Sequence, residues 1–189
     1  MIAQENVFEA VRRGYSQLSS SSNSDILSYF DNLEPSAMIG HISNIKGIVF
    51  EQEVTELLNQ QGVNAMLFEE TNHPISDIAL MDDGDIAAEL QLKATDSLSY
   101  INDTLNAYPD IPIVTTSEVA NSFDLGVVIN SGMSNTALEN SVSQVLSGEV
   151  VTEHSVEAIT EASAEALAEV ITDVTFPISP IGLLFGLPF

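Results

Sequence analysis

The sequence predicts an α/β fold in which a mixed sheet carries helices on its faces. Apolar residues recur at helical spacing across 36–61, three short apolar runs follow, and a helical segment then leads into another apolar run. This order of helix, three strands, helix and strand starts with an antiparallel meander and then needs a crossover, which makes the sheet mixed. With 189 residues, 44% of them hydrophobic, the chain is long enough to bury such a core.

The first 35 residues are predicted to form a helical N-terminal appendage. Apolar side chains recur at helical spacing across 4–18, a serine-rich linker starts at Ser19, and a second short helix covers about 25–33. That helix must stop before Pro35, because the residue that precedes a proline avoids the α-helical region.

Residues 36–130 are predicted to form the α/β core. Gly62 ends the long helix, turn residues separate the next three runs, and Asp96 is the expected N-cap of a helix that ends before Pro109. The expected strands are 63–69, 75–81, 86–94 and 111–116, with a further candidate at 125–129.

Residues 131–189 are predicted to form a helical C-terminal extension. The spacing of apolar residues predicts helices over 135–146 and 152–173. The last sixteen residues, 174–189, carry no charge and include the large apolar side chains of Phe176, Leu183, Leu184, Phe185, Leu187 and Phe189, so we expect this tail to be covered. It either folds back on the sheet, packs against another copy, or contacts a protein partner or a membrane.

The charge balance constrains the partners of the chain. It has 28 acidic and 4 basic residues, a net charge of −24. Nucleic-acid binding draws much of its affinity from Lys and Arg, so nucleic acid is a disfavoured partner. Two explanations of this acidity stay open: adaptation to a salty environment or to solubility, and mimicry of nucleic acid.

Further features bear on the class and location of the protein. The absence of cysteine excludes disulfides and thiolate metal sites. No apolar run reaches the roughly 18 residues of a membrane-spanning helix, and the first residues do not read as a secretory signal. We therefore expect a cytoplasmic protein.

Polar side chains on two neighbouring predicted strands form a candidate site. Side chains on a strand alternate between its faces, so Glu89, Gln91 and Lys93 share one face of strand 86–94, opposite a core face of Ile86, Ala88, Leu90 and Leu92. Asp77 lies on the neighbouring strand and supplies the carboxylate that Mg²⁺ or Mn²⁺ prefers. A lysine beside such an ion can orient the attacking water and stabilise developing charge.

These residues resemble the core of the PD-(D/E)xK nuclease superfamily. The resemblance is carried by ISDIALM, then ELQLKA, then a helix and an apolar strand, about 80 of the 189 residues. It implies a restriction-endonuclease-like αβββαβ core, in which Asp77, Gln91 and Lys93 occupy the site and Gln91 replaces the usual acid, a QxK variant. Glu51, in GIVFEQEV, matches the helical glutamate that many members direct at the metal, and Glu89 is a substitute ligand.

The resemblance implies a metal-dependent hydrolase that cuts nucleic acid, and other interpretations stay open. Asp77 can instead be a solvent-exposed residue that caps or keeps soluble an edge strand. Lys93 can pair with Glu89 or Asp77 at the surface, and Glu51 can lie on a solvent-exposed helix face. The chain is then a catalytically inactive interaction or structural module of the same fold, or an acidic mimic of nucleic acid.

Overall fold

A computed structural model describes residues 2–68, 75–123, 126–149 and 161–175. Within these ranges the chain forms seven α-helices and five strands. The helices are α1 (Gln4–Gly14), α2 (Asn23–Asp31), α3 (Pro35–Gln60), α4 (Leu98–Ala107), α5 (Ser117–Ala120), α6 (Asn135–Leu146) and α7 (Glu161–Thr175). The strands are β1 (Ala65–Leu67), β2 (Ile78–Asp82), β3 (Asp85–Lys93), β4 (Ile113–Thr115) and β5 (Val128–Asn130).

The five strands form one mixed sheet in the order β1-β2-β3-β4-β5. The first three strands pair antiparallel, as two successive hairpin neighbours, whereas β3, β4 and β5 pair parallel. The parallel pairing of β3 with β4 requires the crossover that α4 provides. The predicted α/β class with a mixed sheet and flanking helices is therefore confirmed.

Helix α3 forms the main layer on one face of the sheet. Its apolar side chains repeat every three or four residues, and five of them are completely buried. These are Ile45, Val49, Phe50, Val54 and Leu58. They pack with Leu90 and Leu92 of β3, and the helix ends where Gly62 adopts a positive φ of 85° that a side chain would disfavour.

The opposite face of the parallel strands is covered by α4. Ile101 of this helix, Ile113 of β4 and Val128 of β5 form a second, smaller apolar cluster. Gln91 pairs with Ile113 in the β3–β4 register, so it lies on this covered face and only 4% of it is exposed. The expectation that one face of β3 is core and the other is open for chemistry is therefore wrong for Gln91.

The structure corrects two further expectations about β3 and α4. Ile86, expected in the core, is 51% exposed, because the β2–β3 register shifts between Leu80 and Met81 and interrupts the alternation of faces. The N-cap of α4 is Ser97 and not Asp96, since the Ser97 hydroxyl accepts a hydrogen bond from the backbone nitrogen of Tyr100 at 3.3 Å.

Helices of the predicted N-terminal segment share the core of the rest of the chain. Val7 and Phe8 of α1 and Ile26 and Phe30 of α2 are buried in the same cluster as α3. Ser22, in the predicted linker, caps α2 in a reciprocal capping box with Asp25. The division into 1–35, 36–130 and 131–189 stays a prediction, and buried side chains of all three segments belong to this one cluster.

The C-terminal helices are described in part. Helix α6 has the predicted bounds, whereas α7 is described from Glu161 only. The predicted start of the last helix at 152, most of the apolar tail after 173 and the turn at 72–74 lie outside the described residues. In the described ranges, no helix is both long enough and apolar enough to cross a membrane.

Phe8→Ala tests whether α1 unfolds together with the sheet. Phe8 is 1% exposed and packs in the shared cluster, so its truncation should lower the free energy of unfolding by about 3–5 kcal/mol in a single transition. Urea denaturation followed by circular dichroism measures this, with the half-exposed Leu98→Ala as control. An unchanged main transition would mean that α1 is a separate unit.

Candidate functional site

Asp77 connects the start of β2 to the end of β3. Its backbone nitrogen donates to the carbonyl of Leu90 at 2.9 Å, and its carboxylate oxygen Oδ2 accepts from the backbone nitrogen of Leu92 at 2.7 Å. A side-chain oxygen thus takes the place of a backbone carbonyl in the ladder. β2 starts at Ile78, one residue after Asp77, and not at 75 as predicted, and Ile75 has a positive φ of 87° that is foreign to a strand.

Lys93, the last residue of β3, reaches the same carboxylate. Its Nζ lies 3.2 Å from Oδ2 of Asp77, and both side chains are less than one fifth exposed. The hydroxyl of Thr115 donates to the carbonyl of Lys93 at 2.7 Å, which fixes the end of β3 against β4. The predicted approach of Asp77 and Lys93 is present, with Asp77 one residue before β2 and not within it.

Glu51 reaches the same region from α3. It interacts electrostatically with both Asp77 and Lys93, and its side chain is only 12% exposed. Burial raises the pKa of Glu51 to about 7, and the neighbouring Asp77 carboxylate adds to this rise, while Arg13 and Lys93 oppose it. The helix and the two strands therefore bring the three predicted residues Glu51, Asp77 and Lys93 together.

Arg13 of α1 is a member of the site that the sequence analysis did not identify. Its Nη1 lies 3.0 Å from Oε2 of Glu51, and its Nη2 donates to the carbonyl of Phe68 at 2.8 Å. The sequence feature that could have identified Arg13 is the scarcity of basic residues. The chain has four, and two of them, Arg13 and Lys93, lie at this site. Arg12 instead pairs with Glu5 and Glu9 at the surface.

Gln91 and Glu89 are placed differently from the other predicted ligands. One carboxylate oxygen of Glu89 accepts from the Ser76 hydroxyl at 2.7 Å. Gln91 is buried, and its oxygen Oε1 has no hydrogen-bond partner among the described residues, which is costly for a polar atom removed from water. An amide oxygen without a partner, two residues before Lys93 on the same strand face, is a candidate ligand atom.

The donor atoms fit a hard divalent cation only in part. Among the described residues, no group of three or more acidic, His or Cys side chains is arranged to hold a metal ion. Each of the two carboxylates, Asp77 and Glu51, uses one of its oxygens for hydrogen bonds, Oδ2 and Oε2 respectively. The other oxygen of each carboxylate has no hydrogen-bond partner in the described ranges. The two carboxylate oxygens match the preference of Mg²⁺, which keeps several water ligands. Gln91, by contrast, lies on the face covered by α4.

Comparison with known proteins produced no match. No protein-family model matches the chain, and no curated protein or solved structure is significantly similar to it. Membership of the PD-(D/E)xK superfamily therefore stays a prediction that depends on the residues above.

The pH dependence of stability tests the environment of Glu51. Since the pKa of Glu51 is raised on folding, the folded chain binds this proton more tightly, and the Glu51 contribution to stability decreases as pH rises through about 4.5 to 7. Glu51→Gln removes this contribution. Its free energy of unfolding, relative to that of the native sequence, should therefore increase over that range by up to about 3 kcal/mol.

The measurement is urea denaturation at several pH values with a chelator present. Glu56→Gln is a suitable control, because Glu56 lies on the exposed side of the same helix. A stability difference between Glu51→Gln and the native sequence that does not vary with pH would contradict the proposed environment.

Arg13→Gln and Arg12→Gln form a matched pair for the ion pairs of α1. Loss of Arg13 leaves the Glu51 carboxylate buried beside Asp77 without its partner, which should cost about 2–4 kcal/mol at about pH 8. Arg12 also donates to the Ser21 carbonyl and to Asn23, but its carboxylate partners are more than half exposed, so its loss should cost less, about 1 kcal/mol. Equal losses in thermal or urea unfolding would mean that Arg13 is not part of a buried network.

Proposed function

We propose that the chain is a metal-dependent phosphodiesterase of the PD-(D/E)xK type that acts on nucleic acid. The observation that carries the proposal is the convergence of Glu51 of α3 and Asp77, the residue before β2, beside Lys93 at the end of β3. The resemblance implies a carboxylate pair and a lysine in this arrangement. Its QxK departure places the amide oxygen of Gln91 where an acid is usual.

In this proposal, Asp77 and Glu51 hold Mg²⁺ or Mn²⁺ through the oxygens that make no hydrogen bond, and Gln91 adds its amide oxygen. The ion, when bound, would polarise the scissile phosphate and lower the pKa of a bound water. Glu89 is a weaker candidate ligand because it already accepts from Ser76.

Lys93 is proposed to orient the attacking water and to stabilise the charge that develops on the phosphate. Its ammonium is held by Asp77 at 3.2 Å, which places a positive charge beside the carboxylate pair. In hydrolysis the oxygen of the attacking water bonds to phosphorus, and the bond between phosphorus and the leaving sugar oxygen of the strand breaks. One proton of the attacking water passes to a base, and the leaving oxygen takes up a proton from solvent.

The net charge of −24 opposes substrate binding at this site. At about 0.15 M salt the screening length is roughly 8 Å, so distant acids are partly screened and those near the site are not. Besides Arg13 and Lys93, the chain offers only Arg12 and Lys46, and both are paired with acids elsewhere. We therefore expect weak cleavage by the isolated protein and stronger cleavage when a basic partner delivers the substrate.

A second candidate is a catalytically inactive module of the same fold. It is favoured by the pairing of both carboxylates with basic side chains, Glu51 with Arg13 and Asp77 with Lys93. Such a network is neutral in sum and links α1, α3 and the sheet without any ligand. In this case the four charged residues set the geometry of the fold and bind no metal.

A cleavage assay on DNA and RNA with Mg²⁺ or Mn²⁺, across salt concentrations, distinguishes the two functions. Asp77→Asn and Lys93→Met should each abolish metal-dependent cleavage, since one removes a ligand charge and the other the lysine. Asp85→Asn, an exposed change at the other end of β3, should leave it intact. Circular dichroism must show that each variant is folded.

Two results would overturn the phosphodiesterase proposal. Cleavage that survives both Asp77→Asn and Lys93→Met would place the activity at another site or in a contaminant. If calorimetry detects no binding of Mg²⁺ or Mn²⁺ and no metal-dependent cleavage occurs, the inactive module replaces it.

A further inference from the structure

An apolar groove lies between the end of α2, the start of α3 and the end of α6, and none of the candidate-site residues lines it. Its volume is about 420 Å³. The floor and walls are formed by Phe30, Leu33, Met38, Ile39, Ile42 and Leu146. A smaller depression of about 200 Å³ continues along α2 and shares Asp31, Leu146 and Ser147 with it.

The first two turns of α3 project beyond the core and leave the groove open. Ile39 is 73% exposed, more than any other large hydrophobic side chain of the described residues. Met38 and Ile42 are partly buried against the same core cluster. Exposed apolar side chains around a concave surface are typical of a binding surface, and methionine adapts its shape to different ligands.

The rim of the groove is acidic, and no Lys or Arg faces it. Asp31 lines both depressions, and Glu34, the N-cap of α3, is exposed beside Pro35. The last turn of α6 ends at the groove, so the carbonyl groups of that turn add negative potential. The four Lys and Arg of the chain are all paired with acids, and none of them lines either depression.

We propose that this groove binds a basic amphipathic helix of a partner protein. Apolar side chains of that helix would fill the groove, and flanking Lys or Arg would face Asp31 and Glu34. The net charge favours a basic partner over a second copy of the chain. Two copies that each carry −24 repel one another, whereas the acidic surface attracts a basic segment. The groove walls are themselves helices, against which another helix packs by side-chain interdigitation. This proposal does not depend on the phosphodiesterase activity.

The test uses the full chain and a fluorescent synthetic peptide. The probe is a helix of about 18 residues with Leu at spacings of three and four and Lys elsewhere, and its partner peptide has Glu in place of Lys. The Lys peptide should bind in fluorescence anisotropy, more weakly at higher salt, and the Glu peptide should not bind.

Matched variants separate groove binding from general attraction to an acidic protein. Ile39→Ser should weaken binding of the Lys peptide roughly tenfold, while Ile86→Ser, also exposed but on the β2–β3 hairpin, should not. Asp31→Asn should weaken binding more than Asp103→Asn, which removes an exposed charge on α4. Equal effects within each pair would overturn the proposal, because binding would then be electrostatic only.

Two further measurements identify the other possible occupants. The chain has no cysteine, so Ile39→Cys and Ile86→Cys give single reporters for labelling with maleimide. Slow labelling at position 39 relative to 86 in the isolated monomer would mean that the chain covers its own groove, and would overturn the proposal. A dimer in sedimentation experiments that Ile39→Ser dissociates would overturn it in favour of a second copy. Rapid labelling of a monomer at position 39 supports a groove open to a partner.

Discussion

The packing of α3 against the sheet is the interaction on which the rest of the structure depends. This helix of 26 residues contacts α1, α6 and α7 as well as β1 and β3, so every layer on that side of the sheet is placed relative to it. Its buried side chains belong to one cluster with those of α1, α2 and β3. The same helix carries Glu51 toward the sheet and leaves its first two turns beyond the core. The candidate site and the groove are thus placed by two different parts of one helix.

Much of the architecture could be predicted from the sequence, because it depends on local periodicity. The 3.6-residue spacing of α3 and α6 and the turn residues around the meander fixed the element order. Prediction failed where tertiary contacts overrule the local pattern. The irregular register beside Met81 exposes Ile86, and the covering of the second sheet face by α4 buries Gln91. Neither effect has a signal within its own strand.

The candidate site was predictable to a similar extent. Lys93 ends β3 and Asp77 directly precedes the neighbouring strand β2, so strand alternation was sufficient to bring them together, and the resemblance added Glu51. Arg13 could not be predicted by the same reasoning, since it is 38 residues from Glu51 and meets it only because α1 packs on α3. Strand and helix periodicity identify residues that share one element or one hairpin, and they miss contacts that depend on how separate helices dock.

The ion pairs of the site are difficult to explain by stability alone. Among the ion pairs of the described residues, only Arg13–Glu51 and Lys93–Asp77 have both partners less than one fifth exposed. Withdrawing such groups from water costs several kcal/mol per ion, and well-packed apolar residues of similar volume are often as stable or more so. Burial also leaves Glu51 with a pKa near 7, so its charged form is disfavoured where it stands. The chain has four basic residues, and two of them, Arg13 and Lys93, form these two ion pairs. The proposed metal site, which needs two carboxylates and a lysine at one point, would account for that cost.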